Sequence, residues 1–276
     1  MRSIQQPVEA APDSGSSLIR WMVRGFFFAA LVLVLLKTAL PISGLDKALW
    51  PGALLIIAAT VSTLASLTAQ MPLQNVLLAS VVIGFVGAVA QAIGAATGLL
   101  PGSFFFVEIP GPNFLSALPG GILFAWILSL LSSRGIAQLI LRPWRRTSAF
   151  GFWQLGLTVV LALPFHLGLE IFASQANGNW QWQSELSASR LFASPLVPFA
   201  AWGATALMAL VSATPALLKK KPVEPPPAYD PLVIWFSLNL LFETILARQP
   251  WPAAIGCLAV VIAALVLAIR GARFQN

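Results

Sequence analysis

The chain has 276 residues, of which 58% are hydrophobic and 9% charged, and its mean hydropathy is +0.85. A water-soluble domain carries about 25% charged residues, so this chain has too little charge to cover a water-facing surface. That excludes a soluble enzyme, a disordered regulator and a nucleic-acid reader, and the formal charge of +7 is read instead as membrane topology, because basic residues gather in cytoplasmic loops.

Residues 1–18 are polar and rich in Pro, Ser and Gln, which predicts a disordered cytoplasmic tail. The apolar stretch that follows is too long for a cleavable signal, and Arg20 and Arg24 anchor it on the inside. A membrane-crossing helix needs about 20 mostly apolar residues. Eight stretches are read as spans: 21–40, 49–69, 73–96, 114–132, 150–173, 196–218, 232–247 and 251–269. The predicted fold class is therefore all-α, a polytopic transmembrane helical bundle.

Between the third and fourth spans, residues 97–113 are apolar yet rich in glycine and proline, with Glu108 as the one charge. Such backbone persists at membrane depth only when it is buried in protein or lines a cavity. A re-entrant or capping outer loop is predicted, folded back onto residues 177–182. Residues 136–144 alternate apolar and basic side chains and are expected along the cytoplasmic surface. Residues 219–230 combine Lys219, Lys220 and Lys221 with Pro222, Pro225, Pro226 and Pro227 and read as a stiff linker. It would divide a six-span body at 19–218 from a two-span C-terminal hairpin at 231–276.

With the N-terminus inside, this partition leaves only Lys37, Lys47, Arg190 and Arg248 outside, against twelve inside basic residues of the total of 16. Both termini are thus expected in the cytoplasm, in a bacterial inner membrane. A Lys220→Cys substitution, in a background lacking Cys257, should be labelled from the cytoplasmic side; labelling only from the periplasmic side would reverse the orientation.

Ionisable side chains inside lipid are costly and face a bundle interior or wet cavity when they occur. His166 and Glu170 lie four apart in the fifth span, on one helical face, and Pro164 precedes them. They read either as a hydrogen-bonded pair that fixes helix packing or as an acid/base pair in a ligand cavity. Burial favours the neutral form of a carboxyl group, which would let Glu170 act as a proton donor. Glu243 sits near the end of its span, within reach of Arg248 and water, and Asn239 is placed for a helix–helix hydrogen bond. Trp180 and Trp182 read as interface anchors or as cavity lining. The chain has one cysteine, Cys257, and one histidine, so neither a disulfide framework nor a metal site is expected. No phosphate-cradling Gly-rich Lys-Ser/Thr loop is present, and no cofactor is expected.

Two segments carry a family likeness. From Gln91, the chain places Gly94, Thr97, Gly98 and Gly102 in order, followed by Phe104 and Phe106. This resembles the glutamate–glycine–threonine–glycine segment, with its trailing aromatics, of a membrane carotenoid-biosynthesis family typified by hydratases of γ-carotene and bisanhydrobacterioruberin. Downstream, His166, Glu170–Ile171, Gln175, Ala176, Trp180 and Trp182 resemble the family's paired-aspartate segment and its short tryptophan motif, and Trp202 matches a later tryptophan. The likeness spans about residues 76–218. The family's glutamate is Gln91 here, its first aspartate is His166, and its aspartate–proline is Glu170–Ile171.

The resemblance implies an integral membrane protein that binds or modifies a long isoprenoid or carotenoid, with water as co-substrate if it is a hydratase. Gln91, His166 and Glu170 take the catalytic places; Thr97, Gly98, Phe104, Phe106, Trp180, Trp182 and Trp202 take the substrate-binding ones. Membrane lipid and an isoprenoid are the implied partners. Two other classes stay open: a non-catalytic transmembrane subunit of a larger pigment-containing complex, and a small-molecule transporter, which would need more pathway charges or broken repeats than this chain has.

Overall fold

A computed structural model of the chain describes residues 14–40, 44, 48, 50–97, 104–106, 113–114, 118–119, 121–173, 180–182, 190–191, 194–218, 228–246 and 251–274. Within them the chain forms an all-α bundle of α1 (Ser14–Ala39), α2 (Trp50–Thr68), α3 (Leu73–Thr97), α4 (Gly121–Ile140), α5 (Phe150–Ile171), α6 (Leu196–Leu217), α7 (Asp230–Leu246) and α8 (Trp251–Arg273). Seven of these helices are long and apolar enough to cross a membrane. The exception, α7, has 17 residues and is about 25 Å long, short of the roughly 30 Å hydrocarbon core. Its Leu232, Trp235, Leu238 and Phe242 are buried against α2, α4, α5 and α8, while Val233 and Leu240 are exposed, so one face packs on protein and the other stays open.

The bundle is organised around α4, which touches α2, α3, α5, α7 and α8. Two apolar cores meet on it. One joins Phe27, Leu55, Leu128, Phe165, Trp235 and Val261 from α1, α2, α4, α5, α7 and α8. The other joins Ile83, Trp126, Leu130, Trp202 and Leu210 from α3, α4 and α6. Lipid tails are as apolar as leucine and give no hydrophobic drive between helices, so polar bonds help fix the packing. Thr60 of α2 donates to the Phe124 carbonyl of α4 at 3.2 Å, Ser62 to Val23 of α1 at 3.1 Å, and Asn75 of α3 to Ala216 of α6 at 3.0 Å. Large apolar side chains such as Phe26, Val32, Leu78 and Phe85 are exposed on α1 and α3, as helices facing lipid require.

Several boundaries differ from the sequence expectations. The first helix begins at Ser14, so the tail expected over 1–18 loses its last residues to α1; residues 1–13 lie outside those described. The fourth helix was expected at 114–132 and forms at Gly121–Ile140. Pro119, with no backbone N–H, stands just before it, and at the other end Arg134 continues the helix instead of stopping it. Arg134 is tolerated because its guanidinium donates to the Leu217 carbonyl of α6 at 3.0 Å. The segment expected along the membrane surface is split accordingly: α4 runs to Ile140, and a short 3₁₀ turn covers Arg142–Trp144. Asn239 does not bridge helices; its amide donates to the Trp235 carbonyl of its own helix at 2.8 Å. The side chain of Glu243 lies outside those described.

The C-terminal pair, α7 and α8, packs against the other helices. Asp230, in the first turn of α7, accepts from Arg24 of α1 at 2.6 Å, where a helix N-terminus favours the negative charge. At the other end, Gly271 of α8 lies directly against the Leu139 carbonyl of α4, leaving no room for a Cβ. The linker residues 219–227 lie outside those described.

At one end of the bundle the connections pair as short antiparallel strands. β1 (Phe104–Phe106) and β4 (Trp180–Trp182) join in the register Phe104↔Trp182, Phe105↔Gln181 and Phe106↔Trp180. β2 (Asn113–Phe114) pairs with β3 (Leu118–Pro119), and β5 (Arg190–Leu191) with β6 (Ser194–Pro195). Residues 104–106 of the connection after α3 thus pair through their backbone with residues 180–182, while 98–103, 107–112 and 177–179 lie outside those described.

Candidate functional site

A cavity of about 90 Å³ lies where five helices converge, at the end of the bundle that carries β1 and β4. Gly52 and Ile56 of α2, Gln91 of α3, Gly121 and Trp126 of α4, His166 and Glu170 of α5, and Trp202 of α6 line it. It sits at the seam of the two cores, since its lining residues Trp126 and Trp202 belong to one and Leu169 and Phe172 to the other. His166 and Glu170, picked out of an apolar span, and Gln91, singled out by the family likeness, thus share one cavity. The helical spacing of four puts His166 and Glu170 on the inward face of α5, at 6% and 1% exposure. The helix stays continuous through Pro164.

His166 is held from both sides by aromatic rings. The Trp126 ring centre is 4.5 Å from the imidazole, tilted by 52°, and that of Trp202 is 5.6 Å away, tilted by 33°. Its Nε2 meets Ser129 Oγ at 3.1 Å; which atom donates depends on the ring tautomer. The imidazole is therefore tied to α4 and is not the simple hydrogen-bonded partner of Glu170 that the spacing alone allows. His166→Ala should destabilise the fold by about 2 kcal/mol, through a cavity between two indoles and a stranded Ser129 hydroxyl. His166→Phe should recover most of that, which thermal unfolding in detergent would reveal.

Trp126 and Ser129 were not singled out by sequence reasoning. Their signal was faint: a tryptophan with a serine three positions on shares one helical face, yet many apolar helices carry both without a site. What seats Trp126 lies on another helix, because its indole packs directly over Gly87 of α3.

The remaining expected site residues fall in three groups. Trp202 is buried and lines the cavity. Phe104, Phe106, Trp180 and Trp182 are brought together by the β1–β4 register. Thr97 ends α3, is exposed, and donates its hydroxyl to the Ile93 carbonyl at 2.6 Å. Gly98, Gly102, Glu108, Gln175 and Ala176 lie outside the described residues. Among the described residues no group of three metal-ligating side chains occurs.

Chemically, the cavity offers a buried carboxyl group, a neutral amide that both donates and accepts, and an imidazole, all within aromatic walls. At about 90 Å³ it has room for about three waters at their liquid volume of roughly 30 Å³ each, or for the end of an aliphatic chain.

Compared with known proteins, the chain matches the family described as "Carotenoid biosynthesis protein" over residues 51–268. No curated protein and no solved structure matches. The match reaches well beyond the stretch from 76 to 218 in which the motifs resemble the family. It takes in α7 and most of α8, in keeping with their place in the core.

Proposed function

The chain belongs to the carotenoid biosynthesis protein family, and from that premise we propose that it takes the end of a long isoprenoid or carotenoid from the bilayer and adds water across its terminal double bond. The observation that carries this reading is the convergence of Gln91, His166 and Glu170 on one cavity walled by Trp126 and Trp202. The cavity is too small for a whole polyene, so the chain end enters and the remainder lies along lipid or under the β1–β4 connections.

The step balances without a redox partner. The Glu170 carboxylic acid gives its proton to the less substituted carbon of a trisubstituted alkene, whose π pair becomes the new C–H bond. A tertiary cation forms at the neighbouring carbon. The faces of Trp126 and Trp202 stabilise it through their ring quadrupoles, an effect that strengthens where water is excluded. A water molecule attaches through an oxygen lone pair, then loses a proton to the Glu170 carboxylate, directly or by way of His166. The sum is one water added and the acid restored. Gln91 positions that water, accepting with its carbonyl oxygen and donating with its NH₂, and cannot itself supply the acidic proton.

The test is what co-purifies. Protein isolated from a carotenoid-producing host should yield, on solvent extraction, a stoichiometric polyene with an acyclic or hydrated end. An extract free of polyene, from protein that instead carries other membrane subunits in fixed ratio, would overturn the reading in favour of a non-catalytic subunit.

A further inference from the structure

A second cavity, of about 310 Å³, lies at the opposite end of the bundle between α4, α5 and α6. Its size is at the lower edge of ordinary ligand pockets, roughly 300–1,000 Å³. Arg134, only 9% exposed, lines it together with Ser148 and Gln154. The guanidinium donates to the Leu217 carbonyl at 3.0 Å. With the Gln138 amide turned to satisfy its neighbours, the Gln138 oxygen accepts from Arg134 at 3.1 and 3.2 Å and from Gln154 at 3.1 Å.

All these acceptors are neutral. Among the described residues no carboxylate lies in ion-pair range of Arg134. The end of α6 contributes the partial negative charge of a helix C-terminus, equivalent to about half an elementary charge. Three contacts leave two of the five guanidinium N–H donors and the rest of a full positive charge uncommitted. A buried cation in lipid is expensive unless an anion or wet cavity meets it.

The rim indicates what kind of anion. Phe152 and Leu218 both line the cavity and are 81% and 61% exposed, so it opens onto the surface that lipid covers. The connection from α4 to α5, which contributes Ser148, also carries Arg142, Arg145 and Arg146. Basic pockets between helices at a membrane surface attract anionic headgroups. We propose that the Arg134 cavity binds the phosphate of an anionic amphiphile, with its chains leaving over Phe152 and Leu218. This site is separate from the Glu170 cavity and does not depend on its chemistry.

The test uses the full chain, delipidated in a neutral maltoside detergent and titrated with dioleoyl phosphatidylglycerol, dioleoylglycerol or inorganic phosphate. Tryptophan fluorescence reports the unfolding midpoint. Phosphatidylglycerol should raise the midpoint saturably, while dioleoylglycerol and inorganic phosphate should not. Arg134→Gln should weaken the effect about tenfold, the loss expected for a charge-assisted bond. Gly151→Leu is the second variant: Gly151 lines the cavity and a Cβ there meets open space. It puts a side chain into the site while Arg134 itself is kept, and it should weaken the effect similarly even if Arg134→Gln does not fold. An equal response of the wild type and Gly151→Leu overturns the site. A response to dioleoylglycerol overturns the role of phosphate, and a response to inorganic phosphate alone overturns the amphiphile.

Discussion

On the proposed water addition, Glu170→Gln should lower turnover by about 10²–10⁴-fold, the contribution of a positioned general acid, and should leave the protein folded. The amide keeps the shape of the carboxyl group but has no acidic proton to give. Glu170 is buried at 1% exposure on α5 and lines the cavity with Gln91 and His166, so no solvent acid takes its place. Turnover on a carotenoid with an acyclic end, measured beside the thermal midpoint, checks this. An unchanged rate would reduce Glu170 to a packing residue.

Gly87→Ala should produce the largest structural effect on the same site. A Cβ at Gly87 would collide with the base of the Trp126 indole, which is not a flexible end that can swing aside. Trp126 is 2% exposed and packs 4.5 Å from the His166 ring. Either α3 moves away or the indole leaves the imidazole. Overpacking of this kind costs about 1–3 kcal/mol, and the displaced ring takes one wall of the cavity with it. Adding Trp126→Ala to Gly87→Ala removes the ring atoms that the new Cβ would strike, so the double variant should be more stable than the two single losses add up to, while activity stays low for want of the aromatic face. A double-mutant cycle on the unfolding midpoint measures that coupling.

The helices were legible because hydropathy alone decides what lipid can solvate. Their ends were not, because helix ends depend on partners. Arg134 looked like a loop residue on charge, yet Leu217 on α6 accepts from it and α4 runs on to Ile140. Ser14 begins a helix that composition assigns to the tail. The division after 218 rested on a proline-rich linker whose residues 219–227 lie outside those described. No sequence pattern announced the packing of Gly271 against Leu139 or of Arg24 with Asp230 that joins the C-terminal pair to the other helices.

The polar half of the site was equally legible. His166 and Glu170 stand out within an apolar stretch, and their spacing of four puts them on one face of α5; Gln91 was marked by the family likeness. The aromatic half was legible only in part. Trp202 was singled out, but Trp126 is one tryptophan among ten, and only Gly87 on another helix makes its position special. That the imidazole pairs with Ser129 and not simply with Glu170 also follows from the approach of α4, which no spacing within α5 encodes.

The most direct measurement is incubation of the purified protein, in lipid nanodiscs, with an acyclic-ended carotenoid in heavy-oxygen water, followed by mass spectrometry of the extracted pigment. Water addition at the Glu170 cavity predicts a tertiary alcohol carrying one heavy oxygen, formed by the wild type and not by Glu170→Gln. Pigment that binds yet returns without heavy oxygen, or label that appears equally with Glu170→Gln, would contradict it.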